Sequence, residues 1–281
     1  MLKKNIPNFI TCLNLLSGCL AVVSAFHEQL IWSCYLIGIA AGFDFLDGLA
    51  ARIFKAYSPI GKDLDSLADV VSFGLAPGII LFQMITICFG AYNIPLFDRP
   101  LEILALASAG FLVTIFGALR LAKFNIDERQ VTSFLGLPIP ASAIFIASFI
   151  PILVLEHRLN IYHPPSLEML NLLREHFYFN DFDIISTKLL FNPWFYIILS
   201  ITNSVLMISE IPLFALKIKN IKSKENIIRF LFILLSLLLL YKYEIIAIPF
   251  IVVLYIVLSL IDTLLKKFFK YFNESGNEIQ G

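Results

Sequence analysis

The chain reads as an all-α, polytopic membrane bundle of about eight transmembrane helices. Three observations carry that reading. Mean hydropathy is +0.85, hydrophobic residues make up 59% of the 281 positions against 15% charged, and apolar runs recur at close to the ~20 residues that cross a bilayer as helix. The runs lie near 8–26, 31–54, 64–90, 101–121, 137–156, 193–215, 227–241 and 245–264.

Taken in order, the first run follows Lys3 and Lys4. Pro7, Asn8 and Asn14 interrupt what would otherwise resemble a leader ending at Leu16-Ser17-Gly18-Cys19, and apolarity continues past Cys19 to Phe26, so a membrane helix is expected. The second and third runs flank a short turn bounded by Arg52 and Lys62, and the fourth ends at Arg120 and Lys123. A long polar connection, about 157–192, separates the fifth run from the sixth and is expected to be a surface excursion. The polar tail after Lys270 is expected to fray. With the amino terminus in the cytoplasm, 16 of the 21 Lys and Arg fall on that side, and only Arg99, Arg158, Arg174, Lys188 and Lys242 fall on the other. The bias selects cytoplasmic positions for both termini, a sorting that an odd number of spans would spoil.

Composition also excludes. A net charge of zero and a pI near 6.9 argue against a general polyanion binder, so no nucleic-acid partner is expected. Cys12, Cys19, Cys34 and Cys88 lie in apolar runs without metal-ligand spacing and read as small core residues. His27, His157, His163 and His176 stand away from the acidic stretch and form no HExxH pair.

That acidic stretch is FDFLDGLAARIFKAYSPIGKDLDSLADVVSFG, residues 43–74, with five aspartates. One aspartate near the bilayer centre costs roughly 2.5–3.5 kcal/mol, so four or five would cost on the order of 10 kcal/mol without relief. Asp44 lies roughly 12 Å inside Arg52 and Asp69 roughly 10 Å inside Lys62, at similar depth. Asp44 and Asp47 are three apart and Asp65 and Asp69 four apart, so each pair projects from one helical face, and the turn brings the two faces together. Such a cluster repels itself unless divalent, oxygen-seeking ions such as Mg²⁺ or Mn²⁺ neutralise it; two ions sharing the carboxylates can clamp a phosphate. Gly48 and Ala51 leave room beside them, Arg52 can pair with phosphate, and Gly61 lets backbone approach a ligand. A helix-packing face with a buried charge network is the alternative. Asp63 reads as a helix cap or dipole partner.

Asp44-x2-Asp47-Gly48-x2-Ala51-Arg52-x8-Gly61-x3-Asp65-x3-Asp69 resembles, at every fixed position, the signature of the CDP-alcohol phosphatidyltransferase family. The flanking SFGLAP (72–77), IPNFITCLNLLSG (6–18), LRLAKFN (119–125) and SFLGLPIPA (133–141) look like its bacterial membrane-type phosphatidylserine synthase subgroup, with weaker likeness in SEIPLFALK (209–217). The resemblance implies a six-helix core, a homodimer, and CDP-diacylglycerol bound at the cytoplasmic face of the bacterial inner membrane among membrane lipids. It implies two Mn²⁺ or Mg²⁺ ions on Asp44, Asp47, Asp65 and Asp69, with Asp69 also the catalytic base that deprotonates L-serine, and CDP contacts from Gly48, Ala51, Arg52 and Gly61. Residues 1–215 would form the core, with an outer insertion near 157–192, and 216–281 a two-helix extension of the same single domain.

For the acceptor, Arg120 and Lys123 either hold a serine carboxylate or a lipid phosphate, or anchor the helix at the membrane surface. Asn125 either assists them or forms a turn. Glu210, roughly 10 Å inside Lys217 on a continuous helix, is expected in the aspartate layer, as a partner of Arg120, a receiver of the serine ammonium or a structural ion pair. Asn8 and Thr11 resemble the family's P-N-x-x-T and either approach the nucleotide or cap a helix. The rival readings are a relative using glycerol 3-phosphate or an inositol phosphate, and, from another class, a cation transporter with an intramembrane carboxylate site.

Overall fold

The computed structural model describes residues 2–126, 134–166, 168–170, 172, 180–214 and 226–278. The sorting of basic residues rests partly on Arg129, Arg174, Lys217, Lys219, Lys222 and Lys224, which lie outside the described residues. Helices occupy all eight apolar runs. Among the described residues six stretches are long and apolar enough to cross a membrane, up to seven counting a bent pair.

α1 (Leu2–Phe26) and α2 (Leu30–Ile53) form a tight hairpin. α1 starts earlier than its apolar run, and Pro7 sits inside it, near enough to the start that the missing N–H removes a single ladder bond. Cys12 and Cys19 face outward, whereas Cys34 is buried, so only part of the cysteine reading holds. α2 stops through a Schellman-type turn: Lys55 takes φ 50°, and the Ala56 N–H reaches back to the Ala51 carbonyl at 3.0 Å.

α3 (Pro59–Asp69) then starts with Ser58 as its cap, whose Oγ accepts from the Gly61 N–H at 3.0 Å, and with Pro59 at a position where its missing N–H is harmless. Asp63 is therefore not the cap; it stands exposed in the second turn. α3 passes through a π-helical segment, Val70–Leu75, into α4 (Ala76–Cys88). Every residue from Ala76 to Ile87 is buried, which makes α4 the axis of the bundle. Thr114 Oγ1 donates to the Gly74 carbonyl at 2.9 Å, taking up an acceptor in the widened turn.

α5 (Leu101–Ser108) continues through a 3₁₀ turn into α6 (Leu112–Ile126), and α7 (Ile139–Ala147) is prolonged by further helical turns to Glu156. The following connection is more than a surface excursion. Ile161 and Leu170 are buried, the Tyr162 hydroxyl accepts from the Leu30 N–H at 3.4 Å, and α8 (Asp181–Leu190) opens with a reciprocal Asn180–Asp183 capping box. α8 meets α9 (Pro193–Ile208) at 72°, so it runs across the end of the bundle while α9 runs along it.

α9 stops at Ile208, short of the span expected to reach 215, because Ser209 turns to extended backbone and the chain enters a two-residue strand. This β2 (Pro212–Leu213) pairs antiparallel with β1 (Phe134–Leu135), and Gly136 follows at φ 72°. A Cβ there would lie 2.4 Å from the Met207 carbonyl oxygen, so glycine alone fits. α10 (Ile227–Tyr243) and α11 (Ala247–Glu278) fold back on each other at Glu244, φ 45°, as the Phe232 and Tyr255 rings at 5.8 Å record. α11 stays helical to Glu278 where a frayed tail was expected. Outward-facing Phe45, Ile53, Leu67, Trp194 and Ile198 give the bundle the apolar exterior that a lipid surround requires.

Candidate active site

Three carboxylates from two helices meet at the end of the bundle where α2 turns into α3. Asp44 and Asp47 come from the last turns of α2 and Asp65 from the middle of α3, and carboxylate oxygens of these three lie within 4.8 Å of one another. The spacings of three and four residues put them on facing stripes, as helical geometry requires. Among the described residues no Lys or Arg lies within 4.0 Å of them, and Asp65 Oδ1 is buried without a hydrogen-bond partner. A like-charged, under-bonded oxygen cluster suits a hard divalent cation, so Asp44, Asp47 and Asp65 can hold one.

Asp69 stands outside that trio, one turn further along α3. It is buried, and its Oδ1 accepts from Asn14 Nδ2 at 3.3 Å. Asn14 is fixed by α1 packing on the π segment: Ser72 Oγ donates to the Asn14 carbonyl at 3.0 Å, and Gly18 admits Ser72, whose Oγ would lie 2.3 Å from a Cβ there. Thr11, one turn before Asn14, donates to Asp47 Oδ2 at 2.7 Å. α1 thus addresses one aspartate on each of the other two helices. Asn8 lies against Gly61, where a Cβ would come within 3.0 Å of its Oδ1. Open space surrounds Gly48, Ala51 is half-buried, and Arg52 is exposed.

The surroundings of Arg120 are built differently. Arg120 is buried with its Nε unpartnered. With Lys123, Leu135, Met207, Ser209 and Glu210 it lines a small recess beside the strand pair. Glu210 is exposed and lies past the end of α9, so the helical depth expected for it does not apply; nor does it form an ion pair with Arg120 within 4.0 Å among the described residues. Asn125 faces another way. Its Nδ2 donates to Ser66 Oγ at 2.9 Å and its carbonyl accepts from Lys62 Nζ at 2.9 Å, so it ties α6 to α3.

Residues 4–173 match the family model described as CDP-alcohol phosphatidyltransferase. The chain belongs to this family. A CDP-diacylglycerol–serine O-phosphatidyltransferase of Helicobacter pylori (strain J99) is 34% identical over 142 residues, 50% of this chain and 54% of that protein. One from Bacillus subtilis is 36% identical over 135 residues, covering 48% and 69%. An archaetidylserine synthase of Methanothermobacter thermautotrophicus is 36% identical over 146 residues, covering 51% and 57%. The chain thus spans a little over half the length of most of these relatives. The family match covers α1 to α7 and leaves α8 to α11 outside it.

Sequence reasoning missed Asn14 as a partner of Asp69 and Ser66 as a partner of Asn125. Asn14 did carry a signal: an amide in a membrane helix, three residues after Thr11, shares that residue's face.

Proposed function

We propose that the chain transfers the phosphatidyl group of CDP-diacylglycerol to the hydroxyl of L-serine and releases CMP. The observation that carries this reading is the division of labour among the aspartates: Asp44, Asp47 and Asp65 converge, while Asp69 is held apart by Asn14. The relatives' names supply the acceptor, since they share serine while differing in the lipid they carry.

A divalent ion pair, Mn²⁺ or Mg²⁺, bound by the converging carboxylates would neutralise the phosphates and polarise the phosphorus under attack. Asp69 Oδ1 is engaged by Asn14, which leaves Oδ2 to take the proton as the serine oxygen bonds to the phosphatidyl phosphorus and the bond to the pyrophosphate bridge oxygen breaks. The electron pair leaves with CMP. Thr11 steadies Asp47, and the space at Gly48 with the free guanidinium of Arg52 suits the nucleotide phosphates. Arg120, buried beside Asp69 with an unused donor, is the best placed cation for a serine carboxylate, with Lys123 and Glu210 at the rim of the same recess. We assign the site to the cytoplasmic face of a bacterial inner membrane, both termini on that side, in a homodimer; α1 to α9 form the core, and α10 and α11 form an extension of the same domain.

The test is CMP release by purified protein given CDP-diacylglycerol and Mn²⁺ or Mg²⁺, with serine, glycerol 3-phosphate and inositol 1-phosphate supplied separately, each with and without EDTA. Release with serine alone, abolished by EDTA, is expected; release with another acceptor instead overturns the serine assignment. Asp69→Asn should lower turnover by about 10²–10⁴-fold while keeping CDP-diacylglycerol binding. Wild-type turnover in that variant removes Asp69 from the base role.

A further inference from the structure

At the opposite end of the bundle, between the α1–α2 turn and the loop after α4, lies a second cavity of about 570 Å³. None of the residues of the aspartate site borders it. Its volume is in the range of small-molecule sites, and its walls mix charge with apolar surface: Glu28, Gln83, Tyr92 and Arg99 beside Phe26 and Phe82.

Arg99 is held in place from three directions. Nε donates to the Ile94 carbonyl at 2.9 Å, Nη2 to the Tyr92 carbonyl at 3.3 Å, and the guanidinium carbon lies 5.9 Å over the Phe82 ring. Among the described residues no carboxylate lies within 4.0 Å of it, although Glu28 borders the same cavity. Burial pushes the Arg99 pKa down, as for a cation short of an anion. Glu28 likewise has no ion-pair partner within that distance, and its backbone is fixed in the turn at φ 58°. Gln83, only 5% exposed, donates through Nε2 to the Ala25 carbonyl at 3.4 Å and leaves its Oε1 without a partner. A preorganised cation, a separate anion and an orphaned amide oxygen therefore share one cavity. Beside it Phe97 in the loop is 92% exposed and Leu101 at the start of α5 is 78% exposed, an apolar ledge next to the charged lining.

We propose that this cavity binds the headgroup of a zwitterionic phospholipid from the leaflet facing away from the aspartates. The phosphate lies against Arg99, the ammonium lies between Glu28 and the Gln83 amide oxygen, and the acyl chains run along Phe97 and Leu101. The geometry suits a lipid better than a free headgroup because the apolar ledge continues the charged cavity outward. It shares no residue with the aspartate site, so its test stands apart from the transferase assay.

The full chain, delipidated in detergent, is titrated with dioleoylphosphatidylethanolamine, dioleoylphosphatidylglycerol or free O-phosphoethanolamine, and retention is read by native mass spectrometry and by the shift in Tm. Phosphatidylethanolamine is expected to be retained and to raise Tm, with apparent affinity about tenfold weaker in Glu28→Gln and in Arg99→Lys. CMP release should be unchanged in both variants. Glu28→Gln touches none of the loop carbonyls that Arg99 holds, so it reports on the site even if Arg99→Lys loosens the loop. Equal retention of phosphatidylglycerol that ignores Glu28→Gln overturns the zwitterion, an equal effect of free O-phosphoethanolamine overturns the lipid, and wild-type affinity in both variants overturns the site.

Discussion

Two polar clusters sit at opposite ends of this apolar bundle, and they are built on contrary rules. Around His157 every contact closes: Nε2 lies 2.9 Å from Ser186 Oγ, Ser186 in turn donates to the Asp183 carbonyl at 3.0 Å, and the Asp183 carboxylate caps α8 while lying 4.0 Å from Nδ1. Around Asp65 the contacts stay open, with three carboxylates converging, no Lys or Arg within 4.0 Å among the described residues and an oxygen left bare. Closed networks hold a fold together; open ones of like charge weaken it and persist where a ligand completes them. The first cluster is thus built as a staple, and the second is built as a cluster that could hold a metal ion.

Substitution at the open cluster should break this contrast most visibly. Asp65→Asn is expected to cut CMP release by about 10²–10³-fold yet raise the metal-free Tm, because it removes a repelling charge. A fall in both, measured by activity assay and thermal melt, would make the cluster a staple after all. Next, Mn²⁺ at a hundredfold excess over its Kd should stabilise the wild type by about 2.7 kcal/mol and Asp65→Asn by much less, as denaturant titration reads.

At the closed cluster His157→Ala should cost about 1–3 kcal/mol while turnover per folded molecule stays unchanged. Burial lowers the His157 pKa from its ordinary 6.5, against the opposing pull of Asp183 and Glu156. The unfolded chain therefore takes up the proton first, and the stability His157 contributes is complete above about pH 6.5 and falls as pH drops below it. Melts of wild type against His157→Gln between pH 5 and 8 should show that slope only in the wild type. The smallest effect on turnover among the site variants belongs to Thr11→Val, which deletes one hydrogen bond to the Asp47 carboxylate: about 1.5 kcal/mol in stability by thermal melt, with a few-fold loss of CMP release.

Helical periodicity explains what could be read in advance. Residues three and four apart must share a face, so Asp44 with Asp47 and Asp65 with Asp69 could be paired from spacing alone, and a short turn brings two faces together whatever its sequence. Partners from distant helices carry no such signature. Nothing near Thr11 or Asn14 indicates that one reaches Asp47 and the other Asp69, and Asn125 reads from sequence as either an acceptor contact or a turn former because its 59-residue reach to Ser66 has no local mark. Glu210 was misplaced for a different reason. Its depth was counted along a helix that Ser209 ends, and the strand pair joins residues far apart in the chain, Phe134 with Leu213 and Leu135 with Pro212. Ser58-Pro59 was a legible start signal, but the nearby Lys62-Asp63 competed with it.

The π segment between Asp69 and α4 gives one helix two independent phases. One extra residue in a turn rotates everything beyond it by about 100°, so the stripe carrying Asp65 and Asp69 need not line up with the stripe that packs the bundle axis. Deleting a single residue from 70–75 would turn the key without moving the lock: α4 would keep its apolar circumference, buried on all sides, while the aspartates swung away from Asn14 and from α2.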